Sequence, residues 1–224
     1  MENNMKFTEG YWLLSERANG QFASQAYHIE AMENGLRVVA PTSPVLSRGD
    51  TLNRPTITIE FLAVSPEVIS VRAWHYEGYR TGEARFEKKE TTCDAVVTIT
   101  ENEAVLDAGR VSVHVDRKNW GYSFWADGKL LTSSGFHNLG YVRWDKRGSS
   151  MLPQDNYMKE HEYTPYMTQD LLLAPGENVY GFGERFTAFV KNGQAVETWN
   201  EDGGTASQVA YKNIPFYMTN RGYG

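Results

Sequence analysis

The chain has 224 residues, with 22 Lys and Arg against 28 Asp and Glu, for a formal charge of −6. That length suits one large domain or two small ones, and all-β sandwiches often use it in one unit; it is too short for a full (β/α)8 barrel beside another domain of ordinary size. Hydrophobic residues at 41% and charged residues at 22% exclude wholesale disorder, and a mild acidic excess without a dense Lys/Arg run argues against nucleic-acid binding.

The first residues, Met1-Glu2-Asn3-Asn4-Met5-Lys6, lack the basic segment and apolar core of a secretory signal. No apolar run approaches the roughly 20 residues of a membrane span, so the expected compartment is the cytoplasm, with no membrane partner. Period-two alternation then dominates. Glu33-Asn34-Gly35 reads as a turn before a strand Leu36–Ala40. Thr56–Phe61 places Ile57, Ile59 and Phe61 on one face of a strand. Ile69, Val71 and Ala73 repeat the pattern, as do Val97 and Ile99, and then Val111, Val113 and Val115. Turn signals stand between them at Ser65-Pro66, Asn102-Glu103 and Ala108-Gly109.

Two dipeptides suit two-residue hairpins, because each supplies the positive φ angles of a type I′ turn. Asp127-Gly128 separates Tyr122–Ala126 from Lys129–Thr132, and Asn192-Gly193 separates Phe186–Lys191 from Gln194–Trp199. Residues 145–166 are richer in polar residues, Pro and Met, and read as a long connection. A short helical turn is expected near Thr205–Tyr211. The whole predicts an all-β fold, an antiparallel β-sandwich. Aromatics reach 13%, with 13 Tyr, 10 Phe and 6 Trp. Such rings fill a core, or they offer flat faces to the C–H side of a sugar.

Motif chemistry is sparse. Cys93 is the single cysteine, so it forms no internal disulfide, and a bystander thiol fits its setting better than a nucleophile. His28, His75, His114, His137 and His161 show no metal-ligand spacing, and no cofactor is expected. His161-Glu162 as an acid–base pair would imply a sugar epimerase, but neighbours on a strand face opposite ways. Gly181-Phe182-Gly183 lacks the third glycine of a dinucleotide fingerprint, since position 186 is Phe. Its glycines suit a bend or a close backbone approach, with Glu184 and Arg185 as polar anchors. The densest segment is Val196–Thr205. Trp199 offers a stacking plate or a core ring. Asn200 and Asp202 offer acceptors to hydroxyls or close an Asx-type turn, and Gly203-Gly204 lets backbone pass close to a ligand.

These residues also carry a family likeness. Val179-Tyr180-Gly181-Phe182-Gly183-Glu184-Arg185-Phe186 resembles the G-x-G-E-R-F element of family 31 glycoside hydrolases. Asn192-Gly193-Gln194, Glu197–Thr205 and Ala210–Gly224 resemble the same family, especially its α-xylosidase branch. The likeness is densest over residues 171–224. It is weaker but collinear at Trp12, Thr56–Val64 and Asp127-Gly128. It implies a galactose-mutarotase-like N-terminal β-sandwich preceding a barrel that carries both catalytic aspartates. By resemblance, a sandwich loop at Trp199, Asn200, Asp202 and Gly203 meets sugar hydroxyls, with Asp202 the principal contact, while Glu184 and Arg185 brace that loop. Glu201 stands where relatives often carry a basic residue.

The resemblance also implies that chain is missing after Arg221–Gly224, including the remaining sandwich strands and the barrel. The strand Ile214–Thr219 would then lack its hairpin partner, an open edge that favours association or a homo-oligomer. The expected function is the N-terminal region of a retaining α-glycosidase for terminal α-xylosides or α-glucosides, with no catalytic residue of its own. A stand-alone carbohydrate-binding module is the alternative.

Overall fold

The computed structural model describes residues 7–8, 13–52, 54–76, 93–145, 163–201, 203 and 208–224. They fall into two compact units, Phe7–Leu172 and Leu173–Gly224. The larger is a sandwich of antiparallel sheets. Its strands are β1 (Ala18–Phe22), β2 (His28–Met32), β3 (Gly35–Pro41), β4 (Thr56–Ser65), β5 (Val68–Trp74), β6 (Val96–Ile99), β7 (Glu103–Asp107), β8 (Val111–Asp116), β9 (Gly121–Ala126), β10 (Lys129–Asp145) and β11 (Tyr163–Leu171). One sheet runs β2-β3-β4-β5. The other runs β6-β7-β8-β9-β10-β1, with β11 also on β10.

Alternation builds the core as the sequence predicts. Across β3 and β4, Leu36 faces Phe61, Val38 faces Ile59 and Ala40 faces Ile57, and all six are fully buried. The opposing sheet contributes Leu106, Val113 and Val115, also without solvent contact. Burying each such aliphatic side chain contributes roughly 1.5–3 kcal/mol. Phe61 adds edge-on contact with Tyr122, at 5.4 Å between centroids and 61° between planes. On the outer face the register puts Arg37 between Glu30 and Glu60. It donates to Glu30 at 2.7 Å and, through Nε, to Glu60 at 2.8 Å.

Asp127-Gly128 forms the expected hairpin between β9 and β10, with φ of 49° and 72°. The second strand is much longer than Lys129–Thr132. β10 has 17 residues and serves two groups of neighbours. Its first residues pair with β9, and Leu139–Asp145 pair with β11 while Gly140–Trp144 also pair with β1. The register shifts between Ser134 and Leu139, where His137 takes a φ of 58°.

Two expectations are corrected here. The connection assigned to residues 145–166 ends earlier, because Tyr163–Leu171 is strand β11, whose backbone is claimed by β10 despite its polar content. Residues 146–162, including His161 and Glu162, lie outside the described residues, as does Trp12. Ile99 is 40% exposed, since β6 is an edge strand that covers little of the core.

In the smaller unit β12 (Val179–Gly181) pairs with β13 (Tyr217–Thr219). The expected strand Ile214–Thr219 is therefore three residues long and has a partner along one edge. It ends in a turn where the Gly222 amide donates to the Thr219 carbonyl, with a φ of 84° at Gly222. The strands expected on either side of Asn192-Gly193 do not form. Only Gly193 has a positive φ there, and the Gln194 amide closes a tight turn onto the Lys191 carbonyl. Local side chains compete with the ladder. Lys191 Nζ donates to Thr187 Oγ1 and the Ala188 carbonyl, while Asn192 bonds Val179 N and Glu177 O. Gln208–Tyr211 is not helical, and Thr205–Ser207 lie outside the described residues.

Candidate functional site

The G-x-G segment shows why glycine is needed. Gly181, Phe182 and Gly183 have φ of 113°, 67° and 85°, three left-handed residues in a row. A Cβ on Gly181 would stand 2.6 Å from the Phe216 carbonyl oxygen, and one on Gly183 would overlap the Lys212 carbonyl. This bend lets the Phe182 amide reach Phe216 O at 2.8 Å and the Glu184 amide reach Lys212 O at 3.2 Å.

Arg185 follows directly. Its guanidinium donates to four acceptors: the carbonyls of Phe182, Gln208 and Glu197, and Asn213 Oδ1. Asn213 is the second junction. Its amide nitrogen donates to Trp199 O at 2.7 Å, Ala210 O at 2.6 Å and Asn200 Oδ1 at 3.0 Å. The Asn213 main chain also donates to Asn200 Oδ1, at 3.2 Å. Asn200 and Ala210 form an isolated parallel bridge, and the Glu201 amide donates to Ala210 O. One planar cation and one planar amide thus tie residues 197–201 to residues 208–213.

The expected site residues separate by role. Trp199 is 71% exposed, so its ring is available to a ligand and is no core residue. Asn200 is turned inward by its Oδ1, which accepts from the Asn213 main chain and side chain. Gly203 lines a shallow recess with Glu184, Phe186, Val209, Ala210, Tyr211 and Lys212. Asp202 and Gly204 lie outside the described residues. Glu184 pairs with Lys212 at 3.0 Å, which holds the ammonium above its ordinary range. The recess has about 10 Å³, room for a water and not for a sugar ring. The unit presents an exposed indole, a ring at Phe186 and a fixed backbone turn. Among the described residues no group of three or more His, Cys, Asp or Glu could hold a metal ion.

Asn213 was missed by motif reasoning because its acceptors and donors lie 3, 13, 14 and 28 residues away, a spacing that carries no local signal. Lys191 was missed for a related reason. A lysine beside a turn dipeptide reads as solvated, yet it is buried, and burial pushes its ammonium below the ordinary value.

Residues 57–224 match the profile of the glycosyl hydrolase 31 N-terminal galactose mutarotase-like domain, which covers the G-x-G-E-R-F bend, Arg185 and the Trp199 turn. The chain belongs to glycoside hydrolase family 31. Within this family it is 38% identical over 225 residues to alpha-xylosidase XylQ of Lactiplantibacillus pentosus, spanning 98% of this chain and 27% of that protein. An alpha-xylosidase of Emericella nidulans is 33% identical over 229 residues, 98% of this chain and 29% of that one. The chain thus spans less than a third of the length of these two relatives. Among solved structures, the cycloalternan-forming enzyme of Listeria monocytogenes, in complex with a pentasaccharide substrate, superposes with a TM-score of 0.63 at 14% identity over 90% of this chain and 17% of that one. The family 31 dextranase of Flavobacterium johnsoniae, complexed with glucose, gives 0.57 at 17% identity over 89% and 21%. These structures share the galactose-mutarotase-like fold.

Proposed function

We propose that this chain is the N-terminal β-sandwich region of a retaining α-glycosidase that removes terminal α-xylosyl groups, and that the turn around Trp199 forms one wall of its substrate pocket. The observation that carries the reading is the 38% identity to an α-xylosidase over 98% of the chain. The exposed Trp199 ring, held by Arg185 and Asn213, supports the wall. Asp202, outside the described residues, is the proposed hydroxyl contact. Retaining hydrolysis needs two carboxyl groups about 5–5.5 Å apart, and we assign both to chain other than these 224 residues. Phe186, Phe189, Tyr211, Ile214, Phe216 and Met218 are more than half exposed, and we read this apolar set as the seat of that further chain.

The test assays p-nitrophenyl α-xyloside and α-glucoside with the 224-residue chain and with the longer polypeptide proposed to contain it. We expect turnover only in the longer form, faster on the xyloside. There Trp199→Ala should raise KM more than it lowers kcat. Turnover by the 224-residue chain overturns the division of labour, and a longer form that prefers the glucoside overturns the substrate.

A further inference from the structure

The sandwich unit carries a ligand-sized cleft of about 490 Å³, within the range of roughly 300–1,000 Å³ typical of small-molecule sites. Its walls include Gln21, Phe22, Arg54, Trp120, Phe136 and His137. Three of these rings form a ladder. The His137 imidazole lies between Phe22, 4.0 Å away at 8°, and Phe136, 3.9 Å away at 25°. Burial holds the imidazole below its ordinary pKa, in the neutral form that stacks without a charge to solvate. The outer ring, Phe136, is 63% exposed, so the ladder ends in an open aromatic face.

Two walls stand on costly backbone. His137 and Trp120 have φ of 58° and 53°, in the left-handed region that bulky residues avoid. Each such residue persists only where its surroundings hold it. Those surroundings are visible. Trp120 Nε1 donates to Asn138 Oδ1 at 2.9 Å, and Asn138 Nδ2 donates to Ser134 Oγ at 3.1 Å. Polar groups around the ladder keep capacity for a ligand. Arg54 is exposed and enters no hydrogen bond or ion pair among the described residues. Among the described residues the Gln21 side chain engages only its Oε1, at 3.5 Å from Thr42 Oγ1, and Asn119 engages its Nδ2 with Asp116. An open ring face beside directional amide and guanidinium donors matches a pyranose, whose C–H face stacks while its hydroxyls take both kinds of hydrogen bond.

We propose that this cleft is a carbohydrate-binding site for a mono- or disaccharide, formed by residues other than those of the Trp199 turn. One pyranose face lies on Phe136, and its hydroxyls accept from Arg54 and Gln21. The experiment titrates the isotope-labelled chain with xylose, maltose and, as a flat non-sugar control, adenine, following amide and indole resonances. Saturable shifts are expected at Gly135, Phe136, His137 and the Trp120 indole with a sugar. Phe136→Ala should weaken that binding about tenfold, the equivalent of losing one aromatic contact of roughly 1.4 kcal/mol. Arg54→Gln, on an exposed side chain that cannot unfold the sandwich, should weaken it severalfold, and Trp199→Ala should leave it unchanged. No saturable shift with either sugar overturns the proposal. So does saturation by adenine alone, or sugar affinity indifferent to both Phe136→Ala and Arg54→Gln. Shifts confined to the Trp199 turn overturn this site while leaving the proposed pocket wall intact.

Discussion

Phe7–Leu172 holds itself together from inside, whereas Leu173–Gly224 does so with hydrogen bonds. The larger unit buries Leu36, Val38, Ile57, Ile59, Phe61, Leu106, Val113 and Val115 completely. In the smaller one, Ala210 is the sole buried apolar residue among those described, and its other buried residues are Glu177, Lys191 and Thr219. Five of its rings, Phe186, Phe189, Trp199, Tyr211 and Phe216, are exposed instead. Polar side chains fix its loops: Arg185 and Asn213 at one end, Asn192 and Glu177 at the other. A segment of about 50 residues has too little interior to cover its own apolar surface. A polar scaffold leaves those rings available for binding.

The comparison breaks most visibly if the core is opened. Phe61→Ala removes a fully buried ring that meets Tyr122 and Phe124, so the expected loss is about 3–5 kcal/mol. Urea denaturation followed by tryptophan fluorescence measures it. A loss below about 1 kcal/mol would mean that the sandwich does not depend on this layer.

A smaller and more local effect is expected from Arg185→Met. Four acceptors lose a cationic donor, at about 1–3 kcal/mol for those left buried. Hydrogen exchange should speed up at the Glu201 and Asn213 amides, with little change at β3 and β4. Equal acceleration in the sandwich strands would contradict the separation into differently built units.

How far these elements were legible follows the same line. Ile57, Ile59 and Phe61 alternate, and alternation is a local record of which face is dry. The Asp127-Gly128 turn is equally local, because positive φ at two successive positions selects its residues. β11 was hidden, since its pairing with β10 reaches from Tyr163 to Asp145 and its side chains do not announce a buried face. Asn192-Gly193 misled because the same dipeptide closes another kind of turn when the Asn side chain bonds distant backbone. At the candidate site, the glycines of Gly181-Phe182-Gly183 were legible through their backbone role. The junction at Asn213 was not, because it exists only once residues 197–213 have folded.

Acid should separate the two designs further. Burial raises the pKa of Glu177, but hydrogen bonds from Tyr223, the Ala174 amide and Thr219, with Arg221 3.5 Å away, outweigh it and hold the carboxyl below its ordinary 4.5. A depressed folded pKa gives stability that is present above the unfolded value and lost as pH falls through the folded one. Glu177→Gln should therefore weaken the smaller unit at neutral pH, and the gap to the parent should close as pH falls below the ordinary 4.5 and through the depressed folded value. Hydrogen exchange of β12 and β13 amides at several pH values reads the gap directly. A gap independent of pH would show that the charge of Glu177 is not what holds the turn.

The smallest effect belongs to a pair that looks important on paper. Glu184 and Lys212 sit 3.0 Å apart beside the candidate site, with side chains 56% and 61% exposed. Water and salt screen such a pair, and ordering two long side chains offsets much of its attraction. The raised Lys212 pKa works in the stabilising direction at neutral pH, since a raised cation is lost only as pH climbs through its folded value. Even so, Lys212→Met should leave both the melting midpoint and the Asn213 exchange rate unchanged, because the Lys212 carbonyl, and not its ammonium, receives the Glu184 amide. An exchange increase matching that of Arg185→Met would place Lys212 inside the polar scaffold and blur the line between its fixed backbone and its solvated rim.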